Sequence, residues 1–316
     1  MLRNPLAMMI RKLWPALVLA GLAGCSLEET ENPTRGSAVM LVNDSHYRLM
    51  LREAERFHSL YPKGMMTVHA TSTREAIVHL VNDSVNVIVI DRKFNEEEER
   101  VVKEAGLDVR HLRIAEDALA IITHKQNPIT RISQQSLAKI LRRAAKDWSE
   151  IPEAKWSGAI DLCLTGRNSG PYELLHSHFF PSQVDFIPNH LAANQNEVLR
   201  YVATRPRAAG VVSLSCLADS LGHPVPHDST TTVRVLAVEH VDSTGVSRPV
   251  QLHQAYIYKG LYPLHYPVYF YWTAEGRSVA TGFITFVASG PGQKIILDAG
   301  LVPATMPVRL VQLKQG

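Results

Sequence analysis

Residues 65–92 read MMTVHATSTREAIVHLVNDSVNVIVIDR, and the periodicity of this stretch decides the fold class. Met65 to Ala70 predicts a strand. Ser72-Thr73-Arg74-Glu75 fits a capping box, in which a serine accepts from the third helical N–H and a glutamate reaches back to the cap. The helix it opens runs over Ala76 to Val81. Val85 to Ile90 is an apolar, β-branched run suited to a strand buried on both faces, ending at Asp91-Arg92. Strand, helix and doubly buried strand in so short a span form the unit of a parallel α/β sheet.

The rhythm extends both ways. Upstream, Ala38 to Val42 predicts a strand, Asn43 to His46 a polar break, and Met50, Leu51, Ala54, Phe57 and Tyr61 recur at helical spacing. Downstream, Asn95 caps a helix with four glutamates in its first turn, where the helix dipole favours them. Ala118 to Thr123 predicts a strand, and Ser133 opens a helix to about Ala144. Ile160 to Leu164 is a strand, followed by the break Thr165 to Gly170 and a helix at Pro171. Val211 to Leu214 and Val268 to Trp272 are strands. Residues 220–250 predict irregular surface with one strand near Val233 to Val238, and Val279 to Ala299 a helix interrupted at Gly290-Pro291-Gly292.

At 316 residues, with 46% hydrophobic and 20% charged, the chain has material for two lobes of roughly 100–200 residues each. Its N-terminus is a targeting segment. Arg3, Arg11 and Lys12 precede a short apolar stretch, Leu13 to Leu22, too short to span a bilayer comfortably. The sequence Leu22-Ala23-Gly24-Cys25 resembles a lipobox, which implies cleavage after residue 24 and a lipid on Cys25. Residues 25–37 then form a lipidated tether. Residues 1–24 hold three basic and no acidic residues, so their removal takes the net charge from +3 to zero. A neutral chain lacks the basic surface that sequence-independent nucleic-acid binding needs. Cys163 and Cys216 remain, either paired outside the cytoplasm or buried as free thiols.

Three polar breaks share one position, after a strand and before a helix: Asn43-Asp44-Ser45-His46, Thr71-Ser72-Thr73 and Arg167-Asn168-Ser169-Gly170. Ligands of open α/β sheets bind at the carboxyl ends of strands, where helix N-termini favour anions. Hydroxyls of Ser45, Ser72, Thr73 and Ser169 supply donors, and Arg92 or Arg167 supplies charge in fork geometry. The same residues serve equally as helix caps and turns. No CxxC or chelating histidine pair suggests a metal, no GxSxG a nucleophile elbow, and no cofactor is implied. His176 and His178 point to different sides of a helix.

Several segments, in order, resemble the PstS-like phosphate receptors of bacterial ABC transporters. Arg167-Asn168-Ser169-Gly170 is similar to their Arg-x-x-Ser-Gly-Thr anion loop. Asn82 to Val87 with Ile90-Asp91-Arg92, Gln126-Asn127-Pro128, Trp148-Ser149-Glu150 and Ala209 to Leu214 match other landmarks, as do Tyr262-Pro263-Leu264 and Gly300 to Pro303. The likeness covers about residues 38–305. It implies a two-lobe periplasmic-binding-protein fold of type II: lobe 1 over 38–118, lobe 2 over 119–272, and a return to lobe 1 over 273–316. It implies no enzymatic activity, but capture of phosphate or a related oxyanion for permease subunits, at the periplasmic face of a membrane. Carried over, Asp44 and Ser45 take the first anion loop, Ser72 and Thr73 the second, and Arg167, Ser169 and Gly170 the third. Asp91 takes the carboxylate that accepts the ligand's proton, with Arg92 beside it. The sequence departs from that pattern at Asp44, which brings a negative charge, and at Pro171, which lacks hydroxyl and N–H. Two lost hydrogen bonds to a charged ligand weaken binding on the order of a hundredfold.

Overall fold

The computed structural model describes residues 32–180, 185–217, 233–273 and 276–305. The expected signal segment 1–24, the lipidation site Cys25 and tether residues 26–31 lie outside the described residues. The described elements open with β1 (Gly36–Asn43), a 3₁₀ turn (Asp44–His46) and α1 (Tyr47–Leu60). They continue with β2 (Gly64–Thr71), α2 (Thr73–Val81), β3 (Val87–Ile90) and α3 (Glu96–Glu104). Next come β4 (Arg110–His124), β5 (Arg131–Ile132) and α4 (Gln134–Leu141), then β6 (Asp161–Thr165) and α5 (Gly170–Phe179). β7 (His190–Ala192), α6 (Gln195–Ala203) and β8 (Ala208–Ser213) follow. β9 (Val233–Val235), β10 (Ala237–Val241), β11 (Ser247–Val250), α7 (Gln254–Tyr258) and β12 (His265–Trp272) lead to the closing α8 (Val279–Ala288), α9 (Gly290–Asp298) and β13 (Val302–Pro303).

The main sheet has the strand order β2-β1-β3-β12-β4-β8-β6-β7, with β9 and β13 also on β4. β1 runs parallel to β2 and β3, and β6 parallel to β7 and β8, as the strand–helix rhythm predicts. β3 shows why: Val87 and Val89 join the large core, while Ile88 and Ile90 join a second cluster with Ala76, Leu80 and Phe94. Each such side chain gains about 1.5–3 kcal/mol on full burial, which fixes the strand with both faces covered.

β4 joins the two halves of the sheet. Arg110 to Ala118 pairs with β12, and Leu119 to Thr123 pairs with β8. The sequence expectation starts this strand at Ala118, whereas it begins eight residues earlier. Arg110, His111 and Arg113 are exposed, and that polar edge hides the strand's first half. Residues 265–272 fall inside the expected second lobe, yet β12 pairs with β3 and with Arg110 to Ala118. The helix opened by Ser133 stops at Leu141 because Arg143 adopts a left-handed φ of 56°. The region expected to hold one strand near 233–238 forms β9, β10 and β11.

Cys163 and Cys216 are free thiols. Burial pushes both up to about 12, so each stays protonated at neutral pH.

Candidate functional site

The parallel register Val42↔Ala70 and Asn43↔Thr71, with Val42↔Val89, ends β2, β1 and β3 together. Their C-terminal residues and the turns that follow therefore share one edge, the carboxyl end at which helices start. Asp91, one residue past β3, is 1% exposed. Its Oδ1 accepts from Thr73 Oγ1 at 2.8 Å and its Oδ2 from Asn43 Nδ2 at 2.7 Å. Burial raises the affinity of this carboxyl for its proton; the charge of His46 and the Thr73 hydroxyl oppose that rise.

The second half of the sheet meets this point through α5. Ser169 caps the helix by accepting from Tyr172 N, and Pro171 lies in its first turn, where a missing N–H leaves no internal bond unmade. Gly170 then packs directly on Asp91. A Cβ at Gly170 would stand 1.6 Å from Asp91 Oδ2 and 2.8 Å from Asn43 Nδ2, so only glycine permits the approach. Ser45, in the turn after β1, accepts from Gln195 Nε2 at 2.6 Å and from Ser213 Oγ at 3.1 Å. Asp44 beside it is half-buried, with Oδ1 unpartnered among the described residues. Burial, then the charge of Asp91, raises its carboxyl above the ordinary range, against a lowering from His46.

Thus the fold brings Asp44, Ser45, Thr73, Asp91 and Gly170 into one cluster, buried except for the half-buried Asp44, where the two halves of the sheet meet. Ser72 and Ser169 stand at its edge as caps. Ser72 accepts from Glu75 N at 3.2 Å, but Glu75 accepts from Thr71 Oγ1 at 2.6 Å, so the expected reciprocal box is half made. Both arginines turn outward. Arg92 donates to Glu98 at 2.7 and 2.9 Å and to Glu173 on α5 at 2.7 Å. Arg167 is 69% exposed and pairs with Asp185 at 2.5 Å. Both line an outer cavity of about 740 Å³ between α2, α3 and α5. The Arg92–Glu173 bond spans the two halves of the sheet. Arg92→Ala should therefore lower unfolding stability by about 1–2 kcal/mol, less than a fully buried pair because the groups keep some water. Chemical denaturation checks this; an unchanged midpoint would refute the link.

Sequence patterns leave much of the cluster unannounced. Asn43, His46, Asp117, Gln195, Ser213 and Tyr266 are all buried there. Gln195 Oε1 accepts from Ser213 N at 2.6 Å, and Tyr266 OH lies 2.8 Å from Ser213 Oγ and 3.1 Å from Asp117 Oδ2. Asn43 and His46 fall in the polar break read after β1, whereas Asp117, Gln195, Ser213 and Tyr266 carry no local signal.

Residues 27–291 match the PBP superfamily domain. Phosphate-binding protein PstS from Pseudomonas aeruginosa is 24% identical over 336 residues, covering 98% of this chain and 99% of that protein. Protein SphX from Synechococcus elongatus is 22% identical over 257 residues, covering 79% and 72%. A Clostridium perfringens protein solved with bound phosphate superposes with a TM-score of 0.70 at 20% identity, covering 85% of this chain and 100% of that one. An ABC-type phosphate transport receptor from Vibrio cholerae gives 0.65 at 18%, covering 85% and 100%. The long shared strand with a different partner set on each half is thus part of a type II periplasmic-binding-protein fold, and the chain belongs to the PBP superfamily.

Proposed function

We propose that this chain is an extracytoplasmic lipoprotein, anchored through Cys25, that binds phosphate or a related oxyanion between its lobes for ABC-type import. One observation carries the reading. Asp91 is buried where β3, α2 and α5 converge, with one donor on each oxygen. A carboxylate offers about four lone-pair sites, so Asp91 keeps unused acceptor capacity for a ligand O–H once the contact with Gly170 opens. Phosphate retains such a hydrogen at neutral pH and sulfate does not, so the carboxylate selects by repelling the wrong anion. Relatives named phosphate-binding support the same ligand class, and their names describe binding, not catalysis. Among the described residues no helix is long and apolar enough to cross a membrane. The lipid would then be the attachment, at the periplasmic face, with permease subunits as partners.

Isothermal titration of the chain lacking residues 1–25 tests this. Phosphate should bind at micromolar concentration or tighter, with sulfate much weaker. Asp91→Asn should cut the phosphate preference at least tenfold, about 1.4 kcal/mol. A second reading, a sensor or interaction lipoprotein that binds no phosphate, is favoured by the closeness of Asp91 to Gly170 and the bonding of Ser45 to Gln195 and Ser213. Folded protein giving no heat with either anion would select it.

A further inference from the structure

A chain of buried hydrogen bonds runs into the cluster from β4. Asp117 Oδ1 accepts from Ala118 N at 2.6 Å. Its Oδ2 accepts from Ser215 Oγ at 2.7 Å and from Tyr266 OH at 3.1 Å, and lies 3.0 Å from His46 Nε2. His46 Nδ1 lies 2.8 Å from Asn43 Oδ1. Asn43 Nδ2 reaches Asp91 Oδ2 at 2.7 Å and Thr73 Oγ1 at 3.2 Å. His46, Asn43 and Asp117 are each 0% exposed. None of these groups can therefore exchange its partner for water.

We infer that Asp117, His46 and Asn43 form a positioning chain that turns the Asn43 amide nitrogen onto Asp91 and so keeps Asp91 an acceptor for a hydrogen-bearing oxyanion. The ligand named here rests on the proposed function; the hydrogen-bond chain does not. Donors and acceptors must alternate along it. Asp117 accepts from Ala118 N and faces the hydroxyls of Ser215 and Tyr266, whose single hydrogens are shared with Ser45 O and Ser213 Oγ; as a carboxylate it can only accept, so Nε2 must donate. Asn43 can present its nitrogen to Asp91 only if its oxygen faces His46, so Nδ1 must donate as well. An imidazole with a lone pair on Nδ1 would require the opposite amide orientation, Oδ1 toward Asp91, and two facing acceptors tolerate that only if Asp91 itself carries a proton. A proton on His46 and an ionised Asp91 thus favour each other through the amide between them.

Among the charges around this chain, His46 and Arg92 favour an ionised Asp91, while Asp44 opposes it by repulsion. Asp44 and Asp91 face His46 from the turn and from β3, and in both the imidazole opposes the upward push of burial. Tyr266 on β12 is raised well above its ordinary range by burial and then by Asp117, so it remains a neutral donor. Cys216, near Asp44, Asp117 and Arg48, is likewise held neutral by burial. Arg92 helps Asp91 stay ionised from the far side, while Glu173 beyond it is itself raised by burial.

Carboxyl-detected NMR titration of the protein without added anion tests the chain directly, using His46→Gln and Asp117→Asn, which preserve size. Both variants should move the Asp91 midpoint upward, and in the wild type both His46 ring nitrogens should carry protons while Asp91 is ionised. An unmoved Asp91 midpoint in both variants, or a lone pair on Nδ1, overturns the inference. Calorimetry reads the ligand separately. The variants should lose about tenfold of the preference for phosphate over sulfate, the worth of roughly one hydrogen bond to a charged group. A wild type that binds neither anion removes the oxyanion reading, whereas the positioning chain still stands or falls by the NMR midpoints.

Discussion

Gly170→Ala should cost about 2–5 kcal/mol of stability, far more than an alanine usually costs near a helix start. The added Cβ would stand 1.6 Å from Asp91 Oδ2, about half the closest distance real Cβ atoms keep. Asp91 cannot swing aside, because it is buried and held by Asn43 and Thr73. Either the N-terminus of α5 moves away from β3, or two buried hydrogen bonds to a carboxylate break. Overpacking a dense interior costs about 1–3 kcal/mol, and each buried polar group left unpaired adds a comparable amount. Denaturant unfolding measures the loss. A double-mutant cycle with Asp91→Ala tests its cause, since shortening the clashing side chain should recover part of the cost. Strict additivity within about 0.5 kcal/mol would mean that Gly170 and Asp91 do not meet. On the oxyanion reading, the same substitution also weakens phosphate binding, because the lobes can no longer close to this distance.

What the sequence disclosed about this site follows from how local each signal is. The doubly buried run of β3 is a matter of side-chain period. The caps at Ser72, Asn95, Ser133 and Ser169 are contacts over three residues, and all form. The cluster instead joins residues far apart in the chain: His46 meets Asp117, and Ser45 meets Gln195 and Ser213. No periodicity carries such pairings. The arginines illustrate the limit most clearly. Fork geometry made Arg92 a natural anion partner, but Glu98, placed in the first turn of α3 as Asn95's capping partner, supplies a closer carboxylate on the same side. Glu173 on α5 completes the arginine's bonding from the other half of the sheet. A guanidinium takes whichever carboxylate the fold presents, and the fold presents two of the chain's own.

Glu53→Leu should stabilise the protein by about 3 kcal/mol at pH 7. Glu53 occupies a core position of α1, on the stripe of Leu49, Met50, Ala54 and Phe57, and is 0% exposed. Among the described residues neither carboxylate oxygen has a hydrogen-bond partner. Burial pushes its pKa from the ordinary 4.5 up to about 9, against a lowering from the charge of Arg52. The sign follows from linkage. With the folded value raised, the group costs nothing in charge below about pH 4.5, and stability is lost as pH rises from there toward about 9. At pH 7 that is roughly 2.5 pH units at about 1.4 kcal/mol each. Leucine has no proton to hold and fills a similar volume, so the melting temperature should rise by roughly 6 °C at pH 7. The gain should shrink toward pH 4.5 and grow toward pH 9. Glu53→Gln separates charge from polarity: it should abolish the same pH dependence while gaining less, because an unpaired amide still lies in the core. A stability difference that does not vary with pH would mean that Glu53 finds a partner in solution, and the carboxylate would then be a structural tie instead of a buried burden.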